Sequence, residues 1–153
     1  MSARGPGQLL FSFVRLWSRR RAAGDPTIAE QGRLVQVTEA VNALVARDEP
    51  ATVNAVAHEL GIDQSGASRL VKSATDAGYL SMAKGTSDGR RREVSITTAG
   101  QAALKDAHRW QEQVFDDLTV GWSRQRREDF RRAMADLIAR SHAIEAPARP
   151  TRP

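Results

Sequence analysis

The sequence predicts a mainly α-helical fold with one small β-hairpin, an α+β chain, on three observations. Apolar residues recur at three- and four-residue spacing over most of the length. One stretch, from Tyr79 to Ile96, switches to alternation around a tip rich in glycine and aspartate. Aromatic residues make up only 5% and charged residues 27%, a balance that suits helices with long solvated faces better than an aromatic-rich sheet core.

The 153 residues, 41% of them hydrophobic, are enough for one compact domain with appended helices. A formal charge of +5 and a sequence pI near 10.6 favour an anionic partner, since clustered Lys and Arg neutralise phosphates and release counterions. Nucleic acid leads that list and an acidic membrane surface follows. With no cysteine, the chain excludes a disulfide framework, a thiolate metal site, a cysteine nucleophile and a thiol redox switch, which is compatible with a cytoplasmic location. The start has the outline of a secretory signal, with Arg4, then Leu9, Leu10, Phe11, Phe13 and Val14, then Ala22 and Ala23. Arg15 ends the apolar run too early, and Arg19, Arg20 and Arg21 occupy positions where small residues precede cleavage. No other stretch approaches a membrane span, so no membrane partner is expected.

Leu10, Phe13, Val14 and Trp17 follow helical spacing and predict a first helix ending near Gly24, ahead of Pro26. Leu34, Val37, Val41, Leu44 and Val45 mark a second, which stops before Asp48, Glu49 and Pro50. Thr52 sits where an N-cap belongs. Val53, Val56, Ala57 and Leu60 then line one face of a helix of about two turns, which Gly61 terminates. Ile62 is the hydrophobic contact after that cap, Asp63 caps the next helix, and Ala67, Leu70, Val71 and Ala74 form its buried stripe as far as Gly78. Tyr79, Leu80 and Met82 lead into a strand, and Val94 and Ile96, alternating with Glu93 and Ser95, make the return. Thr97 caps a helix carrying Ala103, Ala107, Trp110, Val114 and Leu118, which Gly121 breaks; Ser123 caps a last one carrying Phe130, Ala133, Met134, Leu137 and Ile138.

Two short helices at a tight turn, followed by a hairpin with a basic loop, make a winged helix-turn-helix. Such an arrangement projects one helix far enough from the body to enter the major groove of DNA, braced by the other. Thr52 and Asn54 stand at the start of the bracing helix. The exposed face of the second helix carries Gln64, Ser65, Ser68, Arg69 and Lys72, donors and acceptors suited to base edges and phosphates. Gly66 has two readings: a missing side chain that lets the backbone approach the duplex, or a residue tolerated near a capped N-terminus at up to about 1 kcal/mol against Ala. Asp63 reads as a cap, because a carboxylate facing phosphates repels them. Alternation along the wing sends Arg90 and Arg92 to one side and Arg91 to the other, and a narrow minor groove attracts an inserted guanidinium.

From Thr52 to Leu80, and above all in the run DGRRREVSITTAG from Asp88 to Gly100, the sequence resembles the MarR family of bacterial winged-helix transcription regulators. The run follows the family's wing pattern of Asp, one residue, Arg, five residues, a Leu-like position, Thr, then Gly. The resemblance implies that Asp88 orients Arg90 and that Arg90 enters the minor groove, with Arg91 beside it. It also implies a dimeric regulator, a repressor on a pseudo-palindromic operator, released by a small aromatic or anionic effector. Gln64 and Gly66 depart from the family, so the operator sequence is not transferable from a relative. A non-specific architectural DNA binder, or a winged helix that binds another protein, is the alternative use of this fold.

The expected organisation is N-terminal helices for dimerisation and support over 1–48, the winged helix-turn-helix over 49–100, C-terminal dimerisation helices over 101–145 and a disordered tail over 146–153. The terminal segments carry more apolar stripe than a small winged helix covers, which argues either for packing against a second copy in a homodimer, the arrangement the resemblance implies, or for an intramolecular bundle on the same stripes. Phe13, Trp17 and Trp110, with Trp122, suit an effector cleft, and equally serve as core or interface filler. His58, His108 and His142 lack a second ligand at metal spacing, so no metal or cofactor is expected. There is no phosphate-binding glycine loop, HExxH or cysteine nucleophile, and an enzyme is not expected.

Overall fold

A computed structural model of the chain describes residues 4–22, 24–84 and 92–145. Among the described residues, six helices and one two-stranded antiparallel sheet follow in the order α1 (Pro6–Ala22), α2 (Pro26–Ala46), α3 (Val53–Leu60), α4 (Gln64–Asp76), β1 (Leu80–Lys84), β2 (Arg92–Ile96), α5 (Thr98–Leu118) and α6 (Arg124–Glu145). The mainly α fold with a hairpin wing is thus present as the apolar periodicities predict. The chain divides into two compact units, Met1–His108 and Arg109–Pro153.

In the first unit the core is built where α2, α3, α4 and the hairpin meet. Asp25 caps α2 by accepting from the Thr27 N–H at 2.8 Å, and Pro26 needs no donor at the first helical position. Val37, Val41 and Leu44 of α2 are buried against Val56 and Ala57 of α3, Ala67, Val71 and Ala74 of α4, and Leu80 and Val94 of the strands. Thr38 is buried on the same helix and satisfies its hydroxyl by donating to the Leu34 carbonyl at 2.7 Å. Val45, which the spacing adds to this stripe, is instead 58% exposed, because the face that α3 and α4 cover ends at Leu44. Arg47, just past the end of α2, donates to both Glu59 carboxylate oxygens, at 3.2 and 2.5 Å, and to Glu49 at 2.8 Å, tying that end to α3.

The strands pair in the register Leu80↔Ile96, Met82↔Val94 and Lys84↔Arg92. The Val94 N–H donates outward to the Ala51 carbonyl at 2.8 Å, so the segment entering α3 runs along the free edge of β2. Thr97 is the hinge of the next turn. Its hydroxyl donates to the Gly78 carbonyl and accepts from the Gly100 N–H at 3.0 Å, capping α5. Gly100 is buried against the Tyr79 carbonyl oxygen, where any Cβ would collide. Leu104 carries the burial of the first turns of α5 rather than Ala103, which is only half-buried. The α1 stripe remains uncovered, with Leu10, Phe13 and Val14 exposed.

In the second unit, Ser123 caps α6 by accepting from the Arg126 N–H at 3.1 Å, after a turn in which Gly121 takes φ +84°. Phe130 stacks on Phe115 and meets Trp122 edge-on, both at 5.7 Å between ring centroids. Arg127 donates to Asp116 at 2.5 Å and to the Thr119 carbonyl at 3.1 Å, and the Arg126 guanidinium lies 4.2 Å from the Trp122 ring centre. Along α6 itself no side chain is buried; Leu137, Ile138 and Ile144 are exposed.

Candidate nucleic-acid interface

The turn between α3 and α4 is held at both ends by backbone and cap. The Thr52 hydroxyl accepts from the Ala55 N–H at 3.1 Å and starts α3. Gly61 stops it in the left-handed region at φ +64°, which glycine adopts without the Cβ penalty. The Gly61 N–H then donates to the His58 carbonyl and the Ile62 N–H to the Ala57 carbonyl, at 3.2 and 3.0 Å, the paired closure of a Schellman turn. One residue later the Asp63 carboxylate accepts from the Gly66 N–H at 2.6 Å and opens α4.

This frame decides which face of α4 is free. Ala67, Val71 and Ala74 are buried and Leu70, the fourth residue of the predicted stripe, is half-buried, so Gln64, Ser65, Ser68, Arg69 and Lys72 all fall on the exposed side. Among the described residues Arg69 has no carboxylate partner, whereas Lys72 donates to Asp76 at 2.8 Å, a hydrogen bond that raises its pKa. Thr52 is half-buried with its oxygen committed to the cap, and Asn54 beside it is exposed. For Gly66 the structure adds a local reason to the two read from sequence: a Cβ there would lie 2.8 Å from the capping Asp63 oxygen. Asp88, Arg90 and Arg91 lie outside the described residues, as does the tail from 146.

Of the aromatic group, Phe13 and Trp17 lie on one face of α1 with ring centroids 6.0 Å apart, and Phe13 is 50% exposed. Trp110 belongs to the second unit and is 61% exposed. His108 pairs with Glu39 at 2.7 Å, and among the described residues no group of three or more His, Asp or Glu is placed to hold a metal. Nor is any described helix long and apolar enough to cross a membrane.

The spacing argument missed three features around this turn. The Arg47 and Glu59 pair joins residues far apart in sequence whose charges look solvated. Gln31 donates to the Tyr79 hydroxyl at 2.7 Å, linking α2 to the residue that leaves α4. Gly100 carried a signal only as the last residue of the wing pattern, and its packing against Tyr79 explains why a glycine is needed there.

Two capped helices at a tight turn, an antiparallel hairpin behind them and helices on either side define the fold as a MarR-type winged helix-turn-helix. No protein-family model matches the sequence, and no curated protein matches it. Among solved structures, wild-type apo MarR from E. coli is similar with a TM-score of 0.66 and 15% identity, over 90% of this chain and 98% of that one. MepR from S. aureus, in a complex with DNA, gives a TM-score of 0.53 and 15% identity over 86% and 97%. BpsR from Bordetella bronchiseptica, whose DNA binding is regulated by 6-hydroxynicotinic acid, gives 0.53 and 18% over 85% and 98%. At these identities the likeness is one of fold.

Proposed function

We propose that this chain is a MarR-type transcription regulator that binds double-stranded DNA as a homodimer. The observation that carries the reading is the two-sidedness of α4: Ala67, Val71 and Ala74 seat it in the core, while Gln64, Ser65, Ser68, Arg69 and Lys72 are exposed and Gly66 is half-buried. In this reading Gln64, Ser65, Ser68 and Arg69 meet base edges, and Lys72 meets the backbone. Thr52 and Asn54 at the start of α3 contact flanking phosphates, Gly66 permits close approach, and Arg90, oriented by Asp88 and accompanied by Arg91, enters the minor groove. The MepR complex with DNA, on the same fold, supports this use of the helix-turn-helix.

The uncovered apolar residues of α1, α5 and α6 support a symmetric dimer. Two recognition helices then lie about one duplex turn, roughly 34 Å, apart, and the operator is pseudo-palindromic. The regulator is a repressor of the genes beside its operator. A small aromatic or anionic effector relieves repression, a reading that the regulation of BpsR by 6-hydroxynicotinic acid supports. The reading assigns the chain no catalytic role.

Footprinting on the DNA around the protein's own gene tests the function. Protection of a short inverted repeat is expected, and Arg90→Ala should weaken binding there by about 1–3 kcal/mol. Indifference to an excess of unrelated competitor DNA would sink the reading in favour of an architectural binder.

A further inference from the structure

Ile62 is a large apolar residue left open at the point of the chain that the proposed function presents to DNA. Two motifs normally bury a residue at this position: the closure of α3 packs it on the residue five before it, and the entry to α4 packs it on the fourth residue of that helix. Here those residues are Ala57 and Ala67, both already buried in the core and both too small to cover an isoleucine. Ile62 therefore stays 39% exposed and lies along the first turn of α4, its Cδ1 at 3.7 Å from where a Cβ on Gly66 would stand. The result is an open hollow of about 510 Å³ lined by Ile62, Asp63, Gly66, Arg69 and Leu70. Its floor is apolar. At its rim the Asp63 carboxylate is turned to the Gly66 N–H, and Arg69 has no carboxylate partner among the described residues.

We infer that this hollow reads the 5-methyl group of a thymine in the major groove, with Ile62 as the specificity-determining contact. The inference rests on the regulator reading above. Thymine is the one base that offers an apolar group on its major-groove edge, and a shallow apolar hollow beside the Arg69 guanidinium complements that edge with a phosphate or guanine next to it. The absence of a side chain at Gly66 has a use in this arrangement: it leaves the first turn of α4 open for the base to approach.

The test uses the full chain and duplexes that it enriches from a random-sequence pool. In the enriched site each thymine is replaced in turn by deoxyuridine, which removes only the methyl group. Replacement at one position in each half-site is expected to weaken wild-type binding about four-fold, the effect of burying one methyl-sized apolar group. Ile62→Ala should bind the thymine and deoxyuridine duplexes equally, and Ile62→Val, which keeps most of the side chain, should retain the difference should the alanine variant fail to fold. An enriched site that is insensitive to every such replacement overturns this inference and leaves the regulator reading standing, as does a methyl effect that persists in Ile62→Ala. Failure to enrich any sequence overturns both.

Discussion

On the exposed face of α4, Lys72 and Arg69 have the same charge and different circumstances. Asp76, one turn along, holds the Lys72 ammonium at 2.8 Å and raises its pKa, so Lys72 stays charged while carrying its own counter-ion. A phosphate must compete with that carboxylate. Asp76→Asn should therefore tighten DNA binding, about two- to five-fold at low salt and less as salt rises, because the removed charge repels phosphates and the pair is fully solvated. Lys72→Ala should weaken binding to all sequences alike and reduce the slope of log affinity against log salt by about one. Gel shifts or fluorescence anisotropy across a salt series measure both, and an unchanged slope in Lys72→Ala would remove this residue from the interface.

Among the elements, α5 and α6 show what sets helix ends and what fails to. Gly100 lets the first turn of α5 press on the Tyr79 carbonyl, and Gly100→Ala should lower stability by about 1–3 kcal/mol through overpacking, seen as a lower melting temperature with the secondary structure retained. On α6, Glu128 accepts from Arg131 at 2.7 and 2.8 Å and from Arg132 at 3.0 Å. These hydrogen bonds, Arg131 first, lower its pKa from 4.5 to about 2. A carboxylate with a depressed folded-state pKa stabilises above its unfolded value and loses that contribution as pH falls through the folded one. The contribution of the Glu128 tie to stability should thus be full above about pH 4.5 and fall away as pH drops toward about 2, where half of the carboxylates are protonated. Its carboxyl resonance in an NMR titration is the measure, and a midpoint near 4.5 would show the pairs to be broken in water. Periodicity had placed both helices and their caps, since Thr97 and Ser123 act on residues three further along; it had not placed Leu104 in the core, because a stripe of alanines and one leucine does not say which of them another element covers.

For the whole molecule the telling feature is apolar surface without a cover. Leu9, Leu10, Phe13 and Val14 on α1, and Leu118, Leu137, Ile138 and Ile144 beyond, are all exposed, more than a lone soluble chain leaves open. Sedimentation should find a dimer at micromolar concentration. The pair Leu10→Asp and Phe13→Asp should shift it toward monomer and weaken operator binding with it, since two half-sites are then no longer held by one particle. A stable monomer of the unaltered chain would refute the homodimer.

The features legible in the residues alone are local and periodic. Thr52, Gly61, Asp63, Thr97 and Ser123 each act on a backbone group a few residues away, so their spacing to the apolar stripes suffices to place α3, α4, the hairpin and the free face of α4. A second group of contacts is set by the folding of distant parts of the chain onto one another: Arg47 on Glu59, Gln31 on Tyr79, Ala51 on Val94, and Gly100 under Tyr79. Ile62 belongs to the second group although its neighbours are close in sequence. Whether it is covered turns on how large the residues packed around it are, and two buried alanines leave it facing out.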